Sequence, residues 1–191
     1  MFRITWQILF LASPLFLVAI AHGLCIKYDL FPRLKRPLDF GRAFKGKRIF
    51  GDHKAWRGLT INVLFCVVGV SIQAWLQRSS LIPAWLPLLD YPEKGWLLGL
   101  LIGVGMTAGE LPNSFLKRQM GISPGRRGQN LWAVIFFVFD QIDLAFGIWV
   151  FVFWLIKPPL ILILWSIGLA FVLHLVVSTV GYVLGMRKTL F

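Results

Sequence analysis

The sequence is short of charge, and above all of acidic charge. Only 15% of its 191 residues are charged, and 8 Asp and Glu stand against 20 Lys and Arg. A soluble domain normally carries about 25% charged and about 45–50% apolar residues, whereas this chain is 58% hydrophobic. The composition excludes an ordinary soluble domain and indicates that lipid surrounds most of the chain.

Several motifs are missing as well. Cys25 and Cys66 are the only cysteines and form no CxxC pair, which excludes a disulfide framework and a metal knot. The sequence contains no GxxxxGK[ST], so the chain has no P-loop. It also lacks the alternating segments of about ten residues that membrane barrels use. Helices are then the secondary structure that satisfies the backbone within lipid.

Five apolar segments approach or exceed the roughly 20 residues that cross a hydrocarbon core. They are residues 4–24, 58–77, 95–116, 131–156 and 158–186. Three contain no charged side chain, the third contains only Glu110, and the fourth only Asp140 and Asp143. We therefore predict an all-α integral membrane protein with five transmembrane helices, forming one membrane-embedded domain over residues 1–191.

The distribution of positive charge predicts the orientation. The connections after the first and third segments and the C-terminal tail hold 16 Lys and Arg, against 4 on the other side. Lys and Arg are enriched in cytoplasmic loops, which places the N-terminus outside, the C-terminus inside and two ordered loops in the cytoplasm of a prokaryotic cell. The net charge of +12 matches anionic lipid headgroups, and we expect no nucleic-acid partner.

The three intramembrane carboxylates are the first candidates for chemistry. Acidic side chains inside a membrane helix are costly and mark functional positions by default. Asp140 and Asp143 are three residues apart, so a helix projects them from one face, where they repel each other unless a cation or proton lies between them. Two carboxylates with substrate phosphates suit Mg²⁺. The alternative is that both acids pair with loop arginines and only brace the fold.

Two polar stretches flank these acids. If a helix resumes at Pro112, then Asn113, Ser114, Lys117 and Arg118 lie within about one turn of a common face, although Lys117-Arg118 alone also fits a topology anchor. The stretch KGKRIFGDHKAWRG at 45–58 interleaves glycines with cations, an arrangement suited to phosphate oxygens. The alternative is that the loop binds no ligand: its cations only reflect its cytoplasmic location, and its glycines are flexible spacers. We interpret His53 as a candidate phosphate contact and His22 and His174 as structural.

Three segments resemble the CDP-archaeol synthase family, within the membrane CTP-transferases that include CDP-diacylglycerol synthases. They are PLDFGRAFKGKRIFGDHKAWRG at 37–58, GELPNSFLKRQMGISPG at 109–125 and FDQIDLAFG at 139–147. The family commonly has Asp where this chain has Glu110. The HGG block of the diacylglycerol branch is absent, which favours the shorter archaeol-type branch without fixing the lipid.

The resemblance implies an Mg²⁺-dependent cytidylyltransferase that moves CMP from CTP onto a lipid phosphate, giving a CDP-lipid and pyrophosphate. Asp140 and Asp143, together with Glu110, would hold the metal. Lys117 and Arg118 would act beside them on the reacting phosphates. The expected substrate-binding residues are Asp39, Lys45, Arg48, Asp52, His53, Lys54, Arg57, Asn113 and Ser114.

Other classes fit less of the sequence. A CDP-alcohol phosphatidyltransferase would show a long Asp/Gly/Ala-Arg motif on one helix, and none occurs. A transporter would show paired broken helices in two repeats, whereas the five segments are dissimilar. A non-catalytic protein that binds anionic lipid through its basic loop needs no intramembrane acids. The chemistry of the lipid tail and the oligomeric state stay open at this point.

Overall fold

The structure, a computed structural model, describes residues 1–123 and 130–183, and each of the five apolar segments is predominantly helical where it is described. Arg126 and Arg127, and Arg187 and Lys188, which enter the charge count above, lie outside the described residues, as does the side chain of His174. The helices are α1 (Phe2–Ala12), α2 (Pro14–Lys27), α3 (Trp56–Arg78), α4 (Tyr91–Gln119), α5 (Asn130–Ile156) and α6 (Leu160–Val183).

Among the described residues, four stretches are long and apolar enough to cross a membrane, which agrees with the predicted all-α membrane class. They are Phe2–Lys27, Trp56–Arg78, Tyr91–Gln119 and Val134–Ile156, where the first comprises α1 and α2 together. Within the described residues, Leu160–Leu173 in α6 is a shorter apolar helix. The count of five spans and the orientation therefore stay predictions.

The first predicted span is divided at Ser13, a break that the sequence prediction missed. Pro14 is the first residue of α2 and has no N–H to donate to the carbonyl of Phe10, four residues earlier. Ser13 donates to that carbonyl through N at 3.1 Å and Oγ at 2.9 Å. Gln73 of α3 adds a donor from the neighbouring helix, because its Nε2 donates to the same carbonyl and to Ser13 Oγ, the latter at 2.8 Å. The break is thus anchored to the neighbouring helix.

Helix α4 is the centre of the bundle and packs against both α3 and α5, while α2 packs on α3 and α6 on α5. A Cβ placed on Gly103 would lie 2.5 Å from Val63 Cα, so only glycine permits this approach of α4 to α3. Pro112 does not restart α4, as the sequence suggested, but lies inside one continuous helix. The buried core between these helices includes Val70, Leu98, Ile102 and Val152.

The first long connection packs against the end of α4. It contains a 3-10 turn over Pro32–Leu34 and a hairpin of β1 (Ala43–Phe44) and β2 (Lys47–Arg48), paired antiparallel. Lys45 and Gly46 form its turn with φ of +48° and +76°, as tight hairpin turns require. The short strands belong to the loop, and the apolar segments remain helical.

Candidate active site

The site is built where α4 and α5 cross at two glycines. A Cβ on Gly109 would lie 2.8 Å from Gly147 Cα, and one on Gly147 would lie 2.7 Å from Gly109 N. No other residue type fits at such distances without moving a helix. Because the crossing is one turn from Asn113 on α4 and from Asp143 on α5, it brings these polar side chains within hydrogen-bonding distance.

Asp140 and Asp143 share one amide donor. Asn113 Nδ2 donates to Asp140 Oδ1 at 2.6 Å and to Asp143 Oδ2 at 3.0 Å. Lys117 Nζ, one turn further along α4, contacts both oxygens of Asp140 at 2.5 and 2.7 Å. The predicted common face of the two acids is thus present, and Asn113 and Lys117 lie beside them. Among the described residues, two negative charges face one positive charge here.

The donor set fits a hard cation. Asn113 is 6% exposed, and its Oδ1 is buried without a hydrogen-bond partner among the described residues. This oxygen and the carboxylates of Asp140 and Asp143 are the ligand type that Mg²⁺ prefers, with phosphates completing its shell. The described residues hold no group of three or more His, Cys, Asp or Glu side chains placed for a metal. The ligand role predicted for Glu110 therefore stays a prediction.

Glu110 forms a short ion pair with Lys54, which joins α4 to the first loop. Both side chains are partly buried, at 34% and 25% exposure. A carboxylate and an ammonium at this depth cost desolvation energy unless they remain paired. Lys54 is thereby held at the border of the site, where a second anion would have to compete with Glu110 for it.

Asp39 organises the first loop. Its side chain is fully buried and accepts hydrogen bonds from the backbone N–H groups of Gly41, Phe50 and Gly51 at 2.9 to 3.1 Å, and from Arg48 Nη2 at 2.8 Å. Burial by itself raises the pKa of Asp39, but these donors together lower the pKa to about 2. Both carboxylate oxygens of Asp39 already accept hydrogen bonds from the loop, and its predicted contact with the substrate stays a prediction.

The loop is docked onto the end of α4. Arg118 Nε donates to the carbonyl of Phe50 at 3.2 Å, and Gln119 Nε2 donates to the carbonyl of Arg48 at 3.3 Å. Lys47 Nζ reaches the carbonyl of Gln119 in return, where the end of a helix leaves carbonyls without intrahelical partners. Arg118 thus holds the loop against α4, next to Lys117, which lies in the site.

Two of the predicted substrate-binding cations contact carboxylates of the loop itself. Arg48 binds Asp52 at 2.8 Å in addition to Asp39. Arg57 Nη1 lies 3.2 Å from Asp29, on the side of the loop that adjoins the end of α2. In the described structure both guanidinium groups therefore pair with loop carboxylates. A phosphate that binds either arginine would have to share it with its carboxylate or displace that carboxylate.

The remaining predicted residues differ in access. Lys45 lies exposed at the hairpin tip, with Nζ 5.5 Å from the ring centroid of Phe44. His53 is exposed, whereas Ser114 is buried beside Asn113. The structure thus gathers Asn113, Lys117, Asp140 and Asp143 in one place, with Lys54 and Glu110 at its border.

A polar chain inside the membrane segments was missed by the sequence reasoning. His22 Nε2 lies 2.8 Å from Asn62 Oδ1, and Asn62 Nδ2 donates to Thr107 Oγ1 at 2.9 Å. All three line a cavity of about 300 Å³ that Lys54 and Glu110 border. The available signal was Asn62, an amide in the middle of an uncharged apolar segment, where a polar side chain needs a partner.

Comparison with known proteins assigns the chain to a family. A family model described as CarS-like CDP-archaeol synthase matches residues 3–191. This chain belongs to the CDP-archaeol synthase family. The predicted family resemblance is therefore confirmed over nearly the whole chain.

Curated relatives agree with this assignment. CDP-archaeol synthase of Methanosarcina barkeri is 30% identical over 167 residues, covering 80% of this chain and 89% of the relative. The protein of the same name from Methanoculleus marisnigri is 31% identical over 159 residues, covering 80% and 87%. That of Methanosphaerula palustris is 32% identical over 158 residues, covering 79% and 87%. No solved structure matches the chain significantly.

Proposed function

We propose that this protein is a CTP-dependent cytidylyltransferase that makes a CDP-lipid from a membrane lipid phosphate. The relatives are named CDP-archaeol synthases, a name that describes synthesis of a CDP-lipid. The observation that carries the proposal is the acid pair Asp140 and Asp143 bridged by Asn113, with Lys117 beside it, at the loop end of a membrane bundle. An isoprenoid-ether glycerol phosphate or a related lipid is the proposed acceptor.

The reaction needs alignment and charge neutralisation more than a protein base. A phosphate monoester has a second pKa near ~6 and is mostly dianionic at neutral pH. One of its oxygens attacks the α-phosphorus of CTP, a new P–O–P bond forms, and the bond from the α-phosphorus to the β-phosphate oxygen breaks. Pyrophosphate leaves with that electron pair. Because the attacking oxygen is already ionised, no proton has to be removed from it.

The residues of the site divide these tasks. Asp140 and Asp143 are proposed to hold Mg²⁺, which would neutralise charge on the reacting phosphates. Asn113 would add its Oδ1 as a ligand after the amide, whose Nδ2 bridges both acids, turns over. Lys117 orients Asp140 and adds a positive charge next to it. Lys54, paired with Glu110 at the border, is placed to contact a phosphate that enters from the loop side. Glu110 is proposed as a further ligand once Lys54 leaves it.

The cavities between the helices offer room for the lipid. The polar cavity that contains His22 and Asn62 shares Leu15, Ala19 and Leu144 with an apolar cavity of about 240 Å³ between α1, α2, α4, α5 and α6. A lipid phosphate with its headgroup near Lys54 and its chains towards the apolar cavity would match this order of polar and apolar lining. The site would then be filled laterally from the bilayer.

The topology that accompanies this function is also a proposal. We propose that α6 is the fifth span, that the whole chain forms one domain, and that the loops and active site face the cytoplasm, where CTP is available. The positive charge of the loops supports this orientation. Labelling of single cysteines placed at Ser79 and Asp52 in intact cells tests it, because only the former should react with an impermeant reagent.

Pyrophosphate release by the purified protein tests the function. Reactions would contain CTP and Mg²⁺ with phosphatidic acid, with a geranylgeranyl ether glycerol phosphate, or without lipid. We expect release that requires CTP and one of the two lipids. Asp140→Asn should abolish it, whereas Asp90→Asn, a matched acid-to-amide change at the opposite end of α4, should not. Absence of lipid-dependent release from folded protein with either lipid would contradict the proposal.

A further inference from the structure

A basic and aromatic surface lies outside the site, directly after the end of α2. It consists of Tyr28, Phe31, Arg33, Arg36 and Phe40, and we call it the ledge. The rings of Tyr28, Phe31 and Phe40 are 61%, 52% and 65% exposed, and both arginines are exposed. Large apolar side chains clustered with cations on a surface indicate an interaction partner rather than a solvated face.

The backbone holds two of these rings outward at a cost. Phe31 and Phe40 have φ of +55° and +50°, a left-handed conformation that is unfavourable for bulky residues. Neither strain is compensated by burial of the ring, since both rings are more than half exposed. Strain of this kind is typical of positions whose conformation serves binding.

The cations of the ledge are available. Asp29, the carboxylate nearest to Arg33 in sequence, binds Lys35 at 2.5 Å and Arg57 at 3.2 Å, and Asp39, nearest to Arg36, binds Arg48 at 2.8 Å. Among the described residues, Arg33 and Arg36 have no carboxylate within ion-pair distance. Both line an open concave surface of about 990 Å³ together with Phe40 and Trp56, and its lining in the described part of the chain contains no acidic residue.

The ledge is separate from the acid pair. Trp56 N donates to the carbonyl of Arg36 at 3.0 Å and Leu38 N donates to the carbonyl of Lys54 at 2.7 Å, so residues 36–38 and 54–56 run side by side. The side chain of Lys54 points across to Glu110 of α4, whereas Arg36 and Trp56 line the ledge. This paired backbone lies between the two surfaces.

We propose that the ledge binds the headgroups of anionic phospholipids in the surrounding leaflet, as a lipid site distinct from the substrate site. It directly follows α2, the end of an apolar stretch long enough to cross a membrane, where aromatic rings favour the interface and Lys and Arg attract anionic headgroups. A nucleoside triphosphate is the poorer occupant, because it arrives with Mg²⁺ and the lining offers no carboxylate.

Native mass spectrometry of the full chain, released from micelles of phosphatidylglycerol and phosphatidylcholine, tests the proposal by counting retained lipids. We expect the wild type to retain phosphatidylglycerol preferentially and Arg33→Gln/Arg36→Gln to weaken that preference roughly 10- to 30-fold. The matched control is Arg78→Gln/Lys94→Gln, which removes two exposed positive charges at the opposite end. It should keep the preference. Equal loss in both variants, or loss in neither, would overturn the proposal.

Phe31→Gly distinguishes a built site from simple charge attraction. Glycine relieves the left-handed strain, so the thermal midpoint should not fall, yet retention of phosphatidylglycerol should fall because the ring is gone. Unchanged retention would show that the ring takes no part. Displacement of phosphatidylglycerol by CTP in the wild type, but not in the arginine variant, would assign the ledge to nucleotide instead. None of these results depends on catalytic activity.

Discussion

Asp39 and the pair Asp140 and Asp143 are acids in the same protein with opposite surroundings. Asp39 is fully buried in the loop and accepts four hydrogen bonds, one of them from Arg48. Asp140 and Asp143 share a single amide, and among the described residues only Asp140 has a lysine partner. The charge of Asp39 is balanced by the fold, whereas the pair carries more negative charge than its partners in residues 1–123 and 130–183 offset.

This contrast separates a structural acid from a functional one. A buried carboxylate is tolerated when donors saturate its oxygens, and removing it then affects mainly stability. A pair left with excess charge costs the fold energy unless a ligand offsets it. We therefore expect substitutions of Asp39 to act on folding and substitutions of the pair to act on turnover.

The largest expected effect is on turnover in Asp140→Asn and Asp143→Asn. Removing either charge should lower CDP-lipid formation by more than about 100-fold, since even residues outside the direct ligand shell of a metal are typically worth 10–100-fold. The thermal midpoint should stay the same or rise, because repulsion within the pair is relieved. Turnover near the wild-type level in both variants would remove the pair from the mechanism.

Gly147→Ala should have the next largest effect, through geometry alone. A methyl group at this position meets the backbone of Gly109 and must push α4 from α5, and a displacement of about 1 Å can cost on the order of 100-fold in rate. We expect a higher Mg²⁺ concentration for half-maximal activity. Gly168→Ala on α6 is the matched control, because nothing lies within 4 Å of its added methyl group. Equal Mg²⁺ requirements in the two variants would contradict the role of the crossing.

Asp39→Asn should lower stability rather than chemistry. The folded pKa of Asp39 is about 2 against 3.8 for the free side chain, which corresponds to about 2 kcal/mol at neutral pH. Because the folded pKa is lowered, this stabilisation is present above about pH 5 and is lost as the pH falls towards 2. The thermal midpoints of wild type and variant should therefore differ at pH 7 and converge in acid. A constant difference would disprove this origin.

The smallest effect is expected for Glu110→Asp. The charge is kept, and the substitution introduces the acid that the family resemblance leads us to expect at this position. We expect activity within a few-fold of the wild type, measured as pyrophosphate release at saturating CTP. Glu110→Gln serves as the comparison, because it removes the charge that pairs with Lys54. Complete loss in the aspartate variant would show that the reach of the side chain matters.

Much of the fold and site follows from local patterns. Apolar length predicts the helices, and the three-residue spacing predicts that Asp140 and Asp143 share a face, because helical geometry alone fixes it. For Asn113 and Lys117 the sequence predicts only that they share one face of another helix, and it does not predict their contact with Asp140 and Asp143. Their actual contact depends on the close approach at Gly109 and Gly147, which the composition of one helix does not specify.

Other features depend on contacts between distant segments. The break at Ser13 is tied to α3 by Gln73, whose Nε2 donates to the carbonyl of Phe10, and the pairing of Lys54 with Glu110 joins residues 56 positions apart. The role of Asp39 depends on a hairpin that folds back over it. Periodicity and spacing within one segment contain no information on such partners. The sequence analysis therefore predicted roles at the substrate or metal for Asp39, Lys54 and Glu110 and did not predict the hydrogen bonds and ion pairs that they form within the fold.

Binding of Mn²⁺, a paramagnetic substitute for Mg²⁺ with the same preference for oxygen ligands, tests the central contrast most directly. Electron paramagnetic resonance would measure tightly bound Mn²⁺ in the presence of CTP for the wild type, Asp143→Asn and Asp39→Asn, each below its thermal midpoint. We predict that Asp143→Asn loses the tight site and that Asp39→Asn retains it. Retention in Asp143→Asn, or loss in folded Asp39→Asn alone, would contradict the division between a functional pair and a structural acid.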